Sequence, residues 1–152
     1  MEFNKVLIIG AGQMGSGIAQ VMAQSGLTVI IRDIKDEFVQ KGIASIEKNI
    51  NRSIEKGKMT EQEKAATMGR ISGIVELNAE TCDVDLVVEA ASENIAIKRE
   101  VFQTLDKMCP AKTIFASNTS SVSITTLAAM TSRPDKFIGM HFFNPAPVIK
   151  LI

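Results

Sequence analysis

Val6-Leu7-Ile8-Ile9-Gly10-Ala11-Gly12-Gln13-Met14-Gly15 is the stretch on which the fold turns. Val6 to Ile9 are uninterruptedly apolar and mostly β-branched, the pattern of a strand buried on both faces of a parallel sheet. Glycines then fall at positions 10, 12 and 15, and a small-residue helix is expected from Met14 to Gln24, stopped at Gly26. Thr28 to Ile31 repeats the buried-strand pattern and ends at Arg32-Asp33. Strand, helix and strand within about thirty residues make a β-α-β unit.

Beyond Asp33 the composition shifts. From Lys35 to Arg70 charges are dense, and apolar residues recur at Phe38, Ile43, Ile46, Ile50 and Ile54 with a helical period. Gly57-Lys58-Met59 breaks the pattern, and Thr60-Glu61-Gln62-Glu63 carries the capping-box signature of a new helix. A helical hairpin over about residues 35–70 is expected beside the sheet, either as a solvated face or as an accessory binding surface. Further strands are expected at Ile74 to Leu77, Leu86 to Val88, Thr113 to Ala116 and Phe137 to Met140. The apolar run Val148 to Ile152 reads as one more. Helices fall between them over Ile95 to Lys107, stopped by Pro110, and over Ile124 to Met130. This alternation makes residues 1–152 one α/β domain: a Rossmann-type, doubly wound, mainly parallel sheet with an inserted helical hairpin.

Composition removes several classes of function. Seventeen basic and seventeen acidic residues leave no formal net charge at pH 7, so nothing points to nucleic acid as a partner. No apolar run reaches the roughly twenty residues of a membrane span or forms a signal-peptide core, and a soluble cytoplasmic protein is expected. Cys82 and Cys109 are too few and too scattered for a zinc site or a disulfide framework. Reduced thiols and no metal are expected.

The glycine turn lies where a dinucleotide needs it, after a buried strand and opening a helix. Gly10 permits the tight turn, Gly12 lets the backbone approach a pyrophosphate, and Gly15 lets helix and strand pack closely. The helix N-terminus offers N–H groups and a positive dipole end. A turn that merely packs is the competing reading. Asp33 stands eighteen residues past Gly15. A carboxylate there accepts a ribose 2′-hydroxyl and repels a 2′-phosphate, which favours NAD over NADP, although the guanidinium of Arg32 could accept a phosphate.

Ligands of open α/β sheets bind beyond the carboxyl ends of the strands. On the expected strands those ends carry Gly10 to Gly15, Asp33, Ala91 to Glu93, Asn118 to Ser120 and His141 to Asn144. His141, the single histidine, therefore stands on the cofactor edge. An imidazole, with an ordinary pKa near 6.5, is suited to take a proton from an alcohol while hydride leaves the same carbon. Ser120 could offer its hydroxyl to the substrate oxygen, or merely cap the following helix.

In this order and spacing, GAGQMGSGIAQ (10–20), DLVVEAASEN (85–94), IFASNTSS (114–121) and HFFNPAPVIKL (141–151) resemble the NAD-binding part of the L-3-hydroxyacyl-CoA dehydrogenases. The bacterial 3-hydroxybutyryl-CoA group is the most similar. The resemblance implies reversible oxidation of an (S)-3-hydroxyacyl-CoA to the 3-oxoacyl-CoA, with hydride passing to NAD. It places the glycines, Gln13 and Met14 on the pyrophosphate, and Asp33 on the adenosine ribose. Glu93, Lys98 and Asn118 would lie along the cofactor and Asn144 near its nicotinamide end. Ser120 would touch substrate and cofactor, and His141 would be the base in oxidation and the acid in reduction. The family's contacts to coenzyme A fall by ungapped register at Asn49 and Lys56.

In that family a glutamate after the Pro-Val-x-Lys-Leu strand orients the catalytic histidine. By register it would follow Ile152 directly. A helical second domain, which closes the substrate cleft and forms a homodimer, would come later. The expectation is of an N-terminal domain cut from its partner, binding NAD but poorly active. Loss of the orienting acid costs roughly 10⁴ in rate in a serine-protease triad. Two other readings compete: a non-catalytic dinucleotide-binding module, and a hydroxyacid dehydrogenase of the 6-phosphogluconate type. His141-Phe142-Phe143-Asn144-Pro145 argues against the second, whose base is a lysine from a later helix.

Overall fold

The run at residues 6–9 is buried on both faces, and the rest of the domain is layered on it. A computed structural model describes residues 2–152. Six strands, β1 (Lys5–Ile9), β2 (Thr28–Arg32), β3 (Ile71–Ile74), β4 (Leu86–Glu89), β5 (Ile114–Ser117) and β6 (Phe137–Gly139), form one sheet in the order β3-β2-β1-β4-β5-β6. Every pairing is parallel. The helices are α1 (Gln13–Gln24), α2 (Asp36–Glu55), α3 (Glu61–Gly69), α4 (Ile95–Met108) and α5 (Ile124–Ala128).

Alternation along β1 sends its side chains into two cores. Val6 and Ile8 join Ile18, Ile46, Ile50 and Val88 on the face covered by α1 and α2. Leu7 and Ile9 join Val87, Phe102, Leu105, Phe115 and Leu127 on the face covered by α4 and α5. The hairpin of α2 and α3 is present as read. Its capping box is complete: Glu63 N donates to Thr60 Oγ1 at 3.1 Å and Thr60 N to Glu63 Oε2 at 2.8 Å. Arg133 locks the β5–β6 connection with all five of its N–H groups. They reach Asp106 Oδ1 at 2.7 Å and the carbonyls of Asp106, Cys109, Pro110 and Thr113.

Two strand expectations are corrected. The strand expected at Ile74 to Leu77 lies three residues earlier, pairing Val29 with Ile71 and Arg32 with Ile74. Gly73 lies inside it, where a Cβ would stand 2.3 Å from Val39 Cγ1, so this position lets α2 lie close over the edge strand. Val148 to Ile152 is not a strand. The N–H groups of Val148 and Ile149 both turn back to the Pro145 carbonyl. Ala146 and Pro147 pack against Gly17 of α1, so the chain has left the sheet edge, and Val148 and Ile152 are 71% and 68% exposed. Among the described residues, no helix is long and apolar enough to cross a membrane.

Candidate functional site

The strand order reverses at β1. The chain passes from β1 to β2 and β3 on one side, then crosses to β4 on the other. The loops leaving β1 and β4 therefore diverge and open a crevice at the carboxyl edge. Each glycine of the turn has its own reason. Gly10 has φ +106°, and a Cβ there would meet the Ala90 carbonyl oxygen at 2.6 Å. At Gly15 a Cβ would lie 1.8 Å from the Gly10 oxygen, so no side chain fits. Around Gly12 a Cβ would find nothing within 4 Å. Gly12 is also the N-cap of α1 and supplies no side-chain acceptor, so the first-turn N–H groups are left for an anion.

A cavity of about 780 Å³ opens from this turn, within the usual range for a small-molecule site. Asp33 lines its β2 side, Phe38 and Ser45 its α2 side, and Ala90 to Ser92 its β4 side. Asp33 Oδ2 accepts from Ala11 N at 2.8 Å and Oδ1 from Ile34 N at 2.7 Å. Each oxygen keeps a lone pair for a ribose hydroxyl. Arg32 Nε donates to the Val75 carbonyl at 2.9 Å.

On the far side of β1 the ends of β4, β5 and β6 are tied together. Glu93 accepts from Thr119 Oγ1 at 2.6 Å and Ser121 Oγ at 3.1 Å. The Thr119 hydroxyl above all, against the opposing pull of burial and with help from Ser121, holds the Glu93 carboxyl below its usual range. Asn118 Oδ1 accepts from Phe142 N at 2.8 Å, which fixes the backbone beside His141. Gln13 Nε2 donates to Asn144 Oδ1 at 3.2 Å, joining the start of α1 to the loop after β6. His141 is exposed in that loop, its ring centroid 4.9 Å from that of Phe143. Ser120 is exposed between β5 and α5. It does not cap α5; that acceptor is Ser123, bonded by Thr126 N.

Lys98 is buried, its ammonium 2.6 Å from Glu89 Oε1. Asn49 and Lys56 lie on α2 and its C-cap, outside the cavity. At 100° per residue they continue the stripe of Phe38, Gly42 and Ser45 along the helix. Sequence reasoning passed over Glu89 and Ser117, both completely buried polar residues at strand ends. The available signal was a lone carboxylate closing the apolar run Leu86-Val87-Val88, nine residues before a lysine.

These strand ends make the chain a dinucleotide-binding domain of the doubly wound class. Residues 5–152 match the family described as 3-hydroxyacyl-CoA dehydrogenase, NAD binding domain. The chain belongs to that family, and its cofactor is NAD. It is 49% identical over 152 residues to a probable 3-hydroxybutyryl-CoA dehydrogenase of Bacillus subtilis (strain 168), covering 100% of this chain and 53% of that protein. With the 3-hydroxybutyryl-CoA dehydrogenase of Clostridioides difficile the identity is 43% over 148 residues, covering 97% and 52%. The crystal structure of (S)-3-hydroxybutyryl-CoA dehydrogenase from Ralstonia eutropha matches with a TM-score of 0.95 at 48% identity, over 99% of this chain and 53% of that one. The chain thus spans about half the length of the relatives it matches.

Proposed function

We propose that this domain holds NAD across the carboxyl ends of β2, β1, β4 and β5. Within a longer dehydrogenase it would carry the base for reversible oxidation of an (S)-3-hydroxyacyl-CoA, with 3-hydroxybutyryl-CoA to acetoacetyl-CoA as the leading case. The observation that carries the reading is the uncapped N-terminus of α1 at Gly12, open on its Cβ side and facing a cavity that Asp33 closes.

Bound NAD supplies the hydride acceptor. Gly12 and the amides of Gln13 and Met14 take the pyrophosphate, with Gly10 and Gly15 shaping the turn. Asp33 takes the adenosine ribose, and its carboxylate selects against a 2′-phosphate. Glu93 lies along the cofactor, whereas Lys98, expected beside it, is buried against Glu89 and supports the wall from behind. Asn118 sets the backbone on which His141 stands, and Asn144, steadied by Gln13, borders the nicotinamide end. Ser120, free of a capping duty, directs its hydroxyl to the substrate oxygen. His141 takes the proton of the 3-hydroxyl in oxidation and returns it in reduction. Lys56 lies eleven residues beyond Ser45, about 16 Å along the α2 stripe, which suits Asn49 and Lys56 to an extended coenzyme A moiety. The whole protein would close the cleft and dimerise through a helical domain beyond this one. Alone, the domain would bind NAD and turn over acyl-CoA substrates slowly.

The test is a titration of the purified chain with NADH and, separately, NADPH. Saturable NADH binding clearly tighter than NADPH is expected. A cooperatively folded sample that binds neither would overturn the reading.

A further inference from the structure

The last residue of β4 is a glutamate sealed inside the sheet edge. The side chains of Glu89 and Lys98 are 1% and 3% exposed. In the sheet Glu89 stands between Ile9 and Ser117, with Leu86 to Val88 before it, all buried. Stability alone does not explain an ion pair here. Desolvating two charges is costly, and apolar residues of similar volume often fold as well or better.

Its contacts suggest another reason. Glu89 Oε2 accepts from Ala91 N at 2.8 Å. That loop packs on the glycine turn, because a Cβ on Gly10 would stand 2.9 Å from Ala91 Cα. Oε1 accepts from Ser117 Oγ at 2.7 Å, and Ser117 Oγ in turn accepts from Thr119 N at 3.3 Å, next to Ser120. The Glu89 carbonyl receives Asn118 N at 2.9 Å. Oε1 also receives Lys98 Nζ, from the helix that follows the β4 loop. One carboxylate thus touches the β4 loop, the end of β5 and the first turn of α4.

We infer that Glu89 is a positioning residue: it sets the β4 and β5 ends that flank the nicotinamide half of the cleft. The inference rests on the NAD-binding reading above. In doubly wound domains the acidic residue ending the second strand takes the adenosine ribose, so the ends of β4 and β5 border the other half. The adenosine half shares the Ala90 to Ser92 loop as one wall but takes its polar contacts from Gly12 and from Asp33, itself bonded to Ala11 and Ile34.

The experiment is calorimetric titration of the chain and of the variants Glu89→Gln and Ser117→Ala with NADH and with ADP. Neither residue lines the cavity. NADH affinity should fall about tenfold in Glu89→Gln and several-fold in Ser117→Ala, while ADP affinity stays within twofold. A merely structural role would weaken both ligands in parallel. That outcome, or unchanged NADH binding, overturns the inference. If Glu89→Gln does not fold, Ser117→Ala decides alone, since it deletes one hydroxyl. Unaltered chain that binds neither ligand removes the NAD-binding reading and this inference with it; unaltered chain that binds both, with no split in the variants, removes only the inference.

Discussion

Two glycines of one turn should respond oppositely to the same added methyl group. At Gly12 the backbone has φ −70° and ψ −170°, open to any residue, and a Cβ meets nothing within 4 Å. Gly12→Ala loses a tolerated N-cap residue, costing on the order of 0.5–1 kcal/mol. Reduced freedom of the unfolded chain returns about 0.4–1 kcal/mol. Stability should therefore hardly move. Binding should collapse, because the methyl occupies the approach path of the pyrophosphate to the first turn of α1. Loss of one or two hydrogen bonds to charged oxygens, about 1.5–3 kcal/mol each, means a drop of tenfold to several-hundredfold or more. At Gly15 the same methyl would lie 1.8 Å from the Gly10 oxygen and 2.7 Å from its carbonyl carbon. Both are backbone atoms, so strand and helix must separate. A cost of about 3 kcal/mol or more is expected, or roughly 6–12 °C in Tm for a chain of this size. Thermal unfolding by circular dichroism and titration by NADH fluorescence separate the two effects. The chain has no Trp and no Tyr, so the nicotinamide signal stands without indole or phenol background. A Gly12→Ala protein that binds NADH like the unaltered chain would refute the placement of the anion. A Gly15→Ala protein of full stability would refute the packing argument.

Replacing Asp33 by Asn should narrow the preference for NADH over NADPH by about tenfold, roughly the removal of one charge–charge contact; paired titrations read it. Lys98→Met should cost about 3–5 kcal/mol in urea unfolding because it strands a buried carboxylate, and Glu89→Leu with Lys98→Met together should recover most of that. Three carboxyls are held below their usual range: Asp85 by the Asn4 and Lys5 amides, Glu93 by Thr119, and Asp106, where burial is outweighed by the Ser132 amide and Arg133. A depressed folded-state pKa gives stability that is present above about pH 4 and lost as pH falls through the lower folded value. Tm should therefore drop steeply below pH 4, and less steeply in Asp106→Asn. Burial raises the Cys82 thiol, and burial together with neighbouring Cys82 pushes Cys109 up to about 12. Neither should react with a thiol reagent at pH 8 until urea unfolds the chain.

Local chemistry made most of this protein legible in its sequence. An unbroken apolar run reads as a doubly buried strand, glycines at 10 and 15 let the following turn close while Gly12 leaves it open to a ligand, and Thr60 with Glu63 starts a helix. The positions of Asp33, Asn118, Ser120 and His141 at strand ends follow from the same pattern, since β-α alternation brings every carboxyl end to one edge. Sequence failed where neighbours distant in the chain decide the outcome. Gly73 is strand through its pairing with Ile31 of β2, under Val39 of α2, and Val148 to Ile152 is not, because packing on Gly17 carries the chain off the sheet. Of the two readings open for Ser120, the capping one is removed by Ser123, a local neighbour. Glu89 is the plainest case. As the last residue of a strand it looked like the start of a loop. Only the tertiary structure brings Lys98, Ser117 and Ala91 around its carboxylate, and a charge can stay buried only where such partners meet it.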